Sequence, residues 1–317
     1  MPQNACYHNH RRNSDIRPGN CTTASMEDLL KKVRKIEIKT RGLSRHLFTG
    51  GYHSAFKGRG MLFSEVRVYQ PGDDVRAIDW NVTARTGEAH VKIFEEEREM
   101  TVVLLVDVSA SSLFGTTGQS KQDVMTEVCA VLAFSAIANN DKVGLLLFSD
   151  RVECFIPPQK GRQHTLRIIR ELLNLKPVGR GTNVAGALQY ARNVLRKRSV
   201  CFLLSDFLSD GFEAPLRIFS KRHDCIGLHT WDIRERTLPD VGLLRVTDAE
   251  SKDVGWVDTS DPNFRNAYAQ HFDRRVQALR EMFGRAGADF VSLPTTDSYV
   301  QALLRFFEKR AHAIAHG

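Results

Sequence analysis

Two textures divide the chain. From Met100 onward, short continuous apolar runs alternate with stretches in which apolar residues recur every three to four positions. Residues 101–106, 143–148 and 200–204 are uninterrupted apolar runs, the pattern of strands buried on both faces of a parallel sheet. Residues 152–156, 225–229 and 288–293 read as further strands. Helical spacing predicts helices over 121–139, 164–173, 184–196, 215–222, 264–283 and 298–309. In the first of these, Val124, Val128, Val131, Leu132 and Ile137 form the inner face, and Thr182-Asn183 sits where it can cap the third. Residues 245–259 read as a β-hairpin excursion. Strands alternating with helices predict a doubly wound α/β domain over 100–310, joined by right-handed crossovers.

Upstream the pattern weakens. Residues 1–25 are polar, lack apolar periodicity and read as a disordered tail. Residues 26–99 read as a helix followed by a small β-rich subdomain. Ser25 and Asp28 have capping-box spacing, and Leu29, Leu30, Val33 and Ile36 share one helical face. Lys31, Lys32, Arg34 and Lys35 fill the opposite face, and a short helix of this kind packs on its own protein more often than on a membrane. Between Gly60 and Trp80, acids and bases interleave closely: Glu65, Arg67, Asp73, Asp74, Arg76, Asp79. We read this block as a salt-bridged surface, with Asp79 and Trp80 packing the subdomain against the sheet.

Composition changes this picture little and charge sharpens it. The 317 residues are 42% hydrophobic and 26% charged, ample for a sizeable core. The formal net charge of +8 lies entirely in residues 1–60, which hold 12 Lys/Arg against 4 Asp/Glu. The body of the chain is therefore neutral, which argues against specific nucleic-acid binding, since that needs a contiguous basic surface. No apolar run approaches the roughly 18 residues of a membrane span, and no leader-like pattern opens the chain. A cytoplasmic protein without a transmembrane segment is the expectation. The six cysteines show no CxxC or close Cys/His spacing, and Cys129, Cys201 and Cys225 fall inside apolar runs as small hydrophobes.

The chemistry concentrates at strand ends. The run 101–106 leads into Asp107-Val108-Ser109-Ala110-Ser111, and in an open α/β sheet residues leaving the carboxyl end of a central strand enter the ligand crevice. Thr182 lies in Gly179-Arg-Gly-Thr-Asn, and Asp206 ends the run 200–204. These five residues offer only hard oxygen donors, which suits Mg²⁺ or Mn²⁺ rather than zinc. Neutral hydroxyls as direct ligands leave the ion electrophilic, ready to accept a carboxylate from outside. Taken singly, each residue has an ordinary role as a cap, a turn former or a satisfied hydroxyl.

The D-x-S-x-S run, the Thr in a Gly-Thr-Asn turn and the later strand-ending Asp resemble the von Willebrand factor A domain with an intact metal-ion-dependent adhesion site. The block Gly58-Arg-Gly60, Phe63-Ser-Glu65-Val-Arg67, Pro71-Gly72-Asp73-Asp74-Val-Arg76-Ala-Ile-Asp79-Trp80 and Ala84-Arg85 resembles domain-of-unknown-function family fifty-eight. The two resemblances together cover about residues 26–310. They imply a Rossmann-like von Willebrand factor A-type domain behind a small β-rich subdomain. They also imply Ser109 and Ser111 as direct metal ligands, Thr182 as direct or water-mediated, and Asp107 and Asp206 acting through waters and hydrogen bonds. The implied function is a non-enzymatic protein-binding module that clamps a partner's acidic residue and works with a MoxR-type AAA+ ATPase in protein assembly or quality control. The alternative is a metal-dependent hydrolase or phosphatase using Asp107. That chemistry usually wants a second carboxylate two residues on, where this chain has Ser109.

Overall fold

The computed structural model describes residues 61–96, 100–116, 118–175, 177–179, 181–247 and 254–315. The expected tail, the basic helix near residue 30, and Cys6 and Cys21 lie outside the described residues. Two compact units emerge, Phe56–Met100 and the residues from Thr101 onward.

In the smaller unit, β1 (Met61–Val68) pairs antiparallel with β2 (His90–Glu96), with a bulge between Phe63 and Glu65. The connection holds a 3₁₀ turn (Val75–Ala77) and α1 (Trp80–Thr86). Its acids are spent on local structure. Asp73 receives a two-pronged pair from Arg67 at 2.6 and 2.8 Å, Asp74 caps the 3₁₀ turn, and Asp79 accepts the Asn81 and Val82 amides at the start of α1. Asp79 also pairs with Lys92 at 3.3 Å. Within the interleaved block the Arg67–Asp73 ion pair is formed, while Asp74 and Asp79 serve as caps. Trp80, at the first position of α1, is 69% exposed.

The larger unit is built on a six-stranded sheet with spatial order β10–β7–β6–β3–β4–β5. The strands are β3 (Thr101–Asp107), β4 (Lys142–Phe148), β5 (Val152–Gln159), β6 (Val200–Ser205), β7 (Asp224–Trp231) and β10 (Asp289–Pro294). Counted within the sheet by chain order this is 3-2-1-4-5-6, the doubly wound order. All neighbours run parallel except β5, which pairs antiparallel with β4. A crossover into β5 is impossible, because only Ser149–Arg151 separates it from β4 and a parallel return needs a dozen residues or more.

Helices cover both faces. α2 (Lys121–Ala138), α3 (Arg162–Asn174) and α8 (Tyr299–Ala315) lie on one, with Phe202 of β6 packed edge-on to Phe307 of α8. α4 (Val184–Val194), α5 (Glu213–Ser220) and α7 (Pro262–Arg285) cover the other, over Val103, Leu105, Cys201, Leu203 and Cys225. The single turn α6 (Ile233–Arg236) follows β7, and the hairpin β8 (Leu243–Thr247) with β9 (Val254–Asp258) follows it. Unlike the one-sided helix its spacing suggests, α2 is buried around most of its circumference, from Lys121 to Ala136, because α3 and the sheet enclose it. Among the described residues no helix is long and apolar enough to cross a membrane.

The face under α7 is packed to contact. A Cβ added at Gly227 of β7 would lie 2.4 Å from the Phe283 ring, whose neighbours are Phe207, Phe212 and Phe290. Gly227→Ala is therefore expected to lower unfolding free energy by about 1–3 kcal/mol, the usual cost of overpacking, measured by urea denaturation. An unchanged midpoint would mean that the ring shifts freely.

Candidate metal centre

The doubly wound order reverses direction between β3 and β6, so the crevice opens at their carboxyl ends. Asp107 is the last residue of β3, and Asp206 directly follows Ser205 at the end of β6. Both are almost fully buried.

Beyond Asp107 the chain turns into a 3₁₀ segment, Ala110–Leu113, with Ser109 at its N-cap position. A serine there ordinarily spends its hydroxyl on a backbone amide of the first turn. This one does not. The Ser109 Oγ instead lies 3.1 Å from the Ser111 Oγ, and both serines are buried. The backbone is pinned independently: the Ser109 amide donates to Asp107 Oδ1 at 2.9 Å, and the Ser112 hydroxyl donates to the Ser109 carbonyl at 2.7 Å. Asp107 Oδ2 accepts the Ser205 hydroxyl at 2.6 Å, which ties β3 to β6 across the switch point.

The two carboxyls are driven apart in acidity. Burial, followed by the negative charge of Asp206, pushes the Asp107 carboxyl up to about 7. Burial acts on Asp206 in the same direction but is outweighed by the Lys121 ammonium and by hydrogen bonds from Ser111 and the Leu208 amide, which hold it below its usual value. Two like charges in one dry site favour a single proton, and the ammonium decides that it sits on Asp107.

Asp206 is aimed by strain. Phe207, the next residue, has φ 53°, a left-handed conformation that costs a non-glycine residue about 1–3 kcal/mol. Its ring, wedged against Phe212 and Phe283 at 5.8 and 5.3 Å between centroids, holds it there.

Thr182 reaches the same edge by a separate route. Asn183 caps α4 through the Gly186 amide, and its own amide donates to the Ser149 carbonyl at 2.8 Å. Ser149 follows Phe148, the register partner of Asp107. Glu153 fastens the approach to this loop, accepting the Ser149 hydroxyl and the Val178 and Gly179 amides. Asp107, Ser109, Ser111 and Asp206 thus form one hydrogen-bonded cluster, with the Thr182 loop anchored to the strand beside it. A Cβ on Gly179 would fall 2.1 Å from Asp150 Oδ1 and 2.2 Å from Ser149 Oγ. Gly179→Ala is accordingly expected to displace the loop and weaken Mn²⁺ binding by about tenfold or more, as when a metal site loses its supporting contacts. Titration by electron paramagnetic resonance reads this directly, and unaltered affinity would exclude the loop from the site.

Sequence reasoning missed the cation already present. Lys121 opens α2 yet is wholly buried, its Nζ 2.6 Å from both Asp206 Oδ2 and Glu235 Oε1. Glu235 belongs to a capping box at α6, where its Oε2 accepts the Asp232 amide at 3.0 Å. Asp232 in turn accepts the Thr116 amide and hydroxyl and the Thr295 hydroxyl. Two signals pointed here. A lysine in the first turn of a helix has the wrong sign for the helix dipole, and Asp232 ends an apolar strand as Asp107 and Asp206 end theirs.

The donors fit a small hard cation. In an octahedral Mg²⁺ shell, oxygens about 2.0–2.1 Å from the ion lie roughly 2.9 Å from one another at adjacent positions, whereas Ca²⁺ distances would spread them to about 3.3 Å or more. The 3.1 Å between the serine oxygens is compatible with either spacing, so the preference for Mg²⁺ or Mn²⁺ rests on the hard, neutral hydroxyl donors. Among the described residues no cluster of three His, Cys, Asp or Glu is arranged to hold a metal, so a cation here would depend on hydroxyls. His164 bonds the Val143 carbonyl and His223 stacks on Phe219, each apart from this cluster.

Residues 65–278 match the family model described as protein of unknown function DUF58. The chain belongs to this family. An uncharacterized protein of Mycobacterium tuberculosis is 30% identical over 308 residues, spanning 95% of this chain and 96% of its own. The uncharacterized protein YeaD of Bacillus subtilis is 31% identical over 137 residues, 43% of this chain and 31% of its own. Among solved structures, an aerotolerance-related membrane protein from Bacteroides fragilis aligns with TM-score 0.47 at 15% identity, covering 66% of this chain and 99% of that one. The conserved hypothetical protein BatB from Bacteroides thetaiotaomicron aligns with TM-score 0.43 at 14% identity, covering 69% and 100%.

Proposed function

We propose that this DUF58 protein is a non-enzymatic, metal-dependent protein-binding module of the von Willebrand factor A type. The observation that carries this reading is the pair of serine hydroxyls, released from capping and held 3.1 Å apart at the sheet's switch point. Ser109 and Ser111 would hold Mg²⁺ or Mn²⁺ directly, with Thr182 direct or through water and Asp107 and Asp206 supporting from behind. The bound ion supplies a Lewis-acidic position for an outside carboxylate. Lys121 strengthens the case, because it already neutralises Asp206, so a divalent ion facing neutral hydroxyls keeps positive charge to offer a partner's Asp or Glu. Useful affinity needs a surrounding contact surface as well. Leu113, Phe114 and Leu208, in the two loops that leave Ser111 and Asp206, are 63%, 44% and 44% exposed.

A hydrolase using Asp107 as nucleophile is less well supported. That carboxyl is 1% exposed, and each of its oxygens already accepts a hydrogen bond from this chain. As the partner we propose a MoxR-type AAA+ ATPase, in cytoplasmic protein assembly or quality control. The test is a quantitative pull-down from native lysate with wild type and Ser109→Ala, in Mg²⁺ and in EDTA. An AAA+ ATPase held only by wild type in Mg²⁺ is the expected result. The same proteins under all four conditions would overturn the clamp.

A further inference from the structure

A cavity of about 520 Å³ opens beside the metal centre, within the larger unit, with Ser111 at one end. Its floor is the Lys121–Glu235 ion pair. Phe114, Leu208 and Phe272 give it apolar lining, and Tyr268 and Arg275 line it too. Lys121 is matched by carboxylates on both sides, but Arg275 makes no ion pair among the described residues, and its Nε is buried without an acceptor. The guanidinium lies 5.9 Å from the Phe272 ring centroid, which orients it without neutralising it. A buried donor without an acceptor costs free energy until a ligand supplies one.

We propose that this cavity is the specificity half of the docking site, built for an acidic peptide segment of a partner. The peptide's first carboxylate goes to the metal beside Ser111, a large apolar side chain next to it enters between Phe114, Leu208 and Phe272, and a second carboxylate pairs with Arg275. The proposal rests on the clamp reading and extends it from a single carboxylate to a short motif. Ser111 in the cavity lining sets where the first acid must sit, and the Arg275 guanidinium, which makes no ion pair among the described residues, supplies a positive partner for the second. A volume of this order suits a bulky side chain with its adjoining backbone.

Fluorescence anisotropy with the labelled probe Gly-Ser-Phe-Asp-Ser-Glu-Gly in MgCl₂ tests this. Replacing its Phe by Ala should weaken binding about tenfold, the effect of leaving one large apolar side chain in water. Replacing its Glu by Gln should weaken binding about fivefold to wild type and hardly at all to Arg275→Gln, a coupling that marks direct contact. EDTA and Ser109→Ala should each abolish binding. If both altered peptides bind like the parent while EDTA still releases them, the clamp stands and the cavity proposal falls. Binding indifferent to EDTA and to Ser109→Ala overturns the clamp and this proposal with it. Absence of measurable binding by the parent probe overturns the motif.

Discussion

Lys121→Met is expected to lower unfolding free energy by about 3–5 kcal/mol, the usual result of removing one partner from a buried ion pair. Little water reaches the ion pair to replace the ammonium, because Lys121 is 0% exposed and Asp206 only 2%, with Glu235 18% exposed on the cavity side. Its loss leaves Asp206 and Glu235 facing each other across an apolar gap, with Asp107 close behind. The damage would spread, since Glu235 also fixes the Asp232 amide and through it Thr116 and Thr295. Urea denaturation provides the measurement, and two companion results separate charge from packing. Lys121→Met combined with Asp206→Asn and Glu235→Gln should recover most of the loss. Mg²⁺ should stabilise Lys121→Met more than wild type, because a ligand bound only by the folded state adds stability by mass action. A loss below about 1 kcal/mol would mean that water or a rearranged side chain meets the two carboxylates.

Ser109→Ala should have the opposite profile, with little effect on the metal-free fold and a large effect on the metal. The hydroxyl caps nothing, although it bonds the Asp107 carboxyl, and its partner Ser111 retains a hydrogen bond to Asp206. Unfolding free energy without metal should therefore move by only about 1–2 kcal/mol, the worth of the hydroxyl's contacts with Ser111 and Asp107. Mg²⁺ affinity by calorimetry should fall about a hundredfold or more, beyond the 10–100-fold typical of losing a residue that merely supports a ligand. Retained affinity would remove Ser109 from the coordination shell and leave the cluster a structural network.

How much of this was legible depended on how locally each feature is encoded. The runs 101–106 and 200–204 end in aspartates, and topology alone then places those aspartates at one crevice. The antiparallel β5 was encoded too, by the three-residue link Ser149–Arg151, but the apolar content of the strand hides its direction. Lys121 was legible only indirectly, through its wrong sign for the helix dipole and the strand-ending Asp232. A lysine beside a capping serine reads as solvent-facing, and only the meeting of α2 with the ends of β6 and β7 buries it. Arg275 sits in a helix rich in charge, where nothing in the spacing distinguishes it from neighbours that face water.

The antiparallel edge strand bears on self-association as well as on topology. β5 carries Pro157 and Pro158 near its carboxyl end, and proline offers no N–H to an incoming strand. A second chain aligning along that border would find its ladder interrupted after a few rungs. Sheet extension, by which exposed edges recruit fibril-forming neighbours, is thereby discouraged on this side of the molecule.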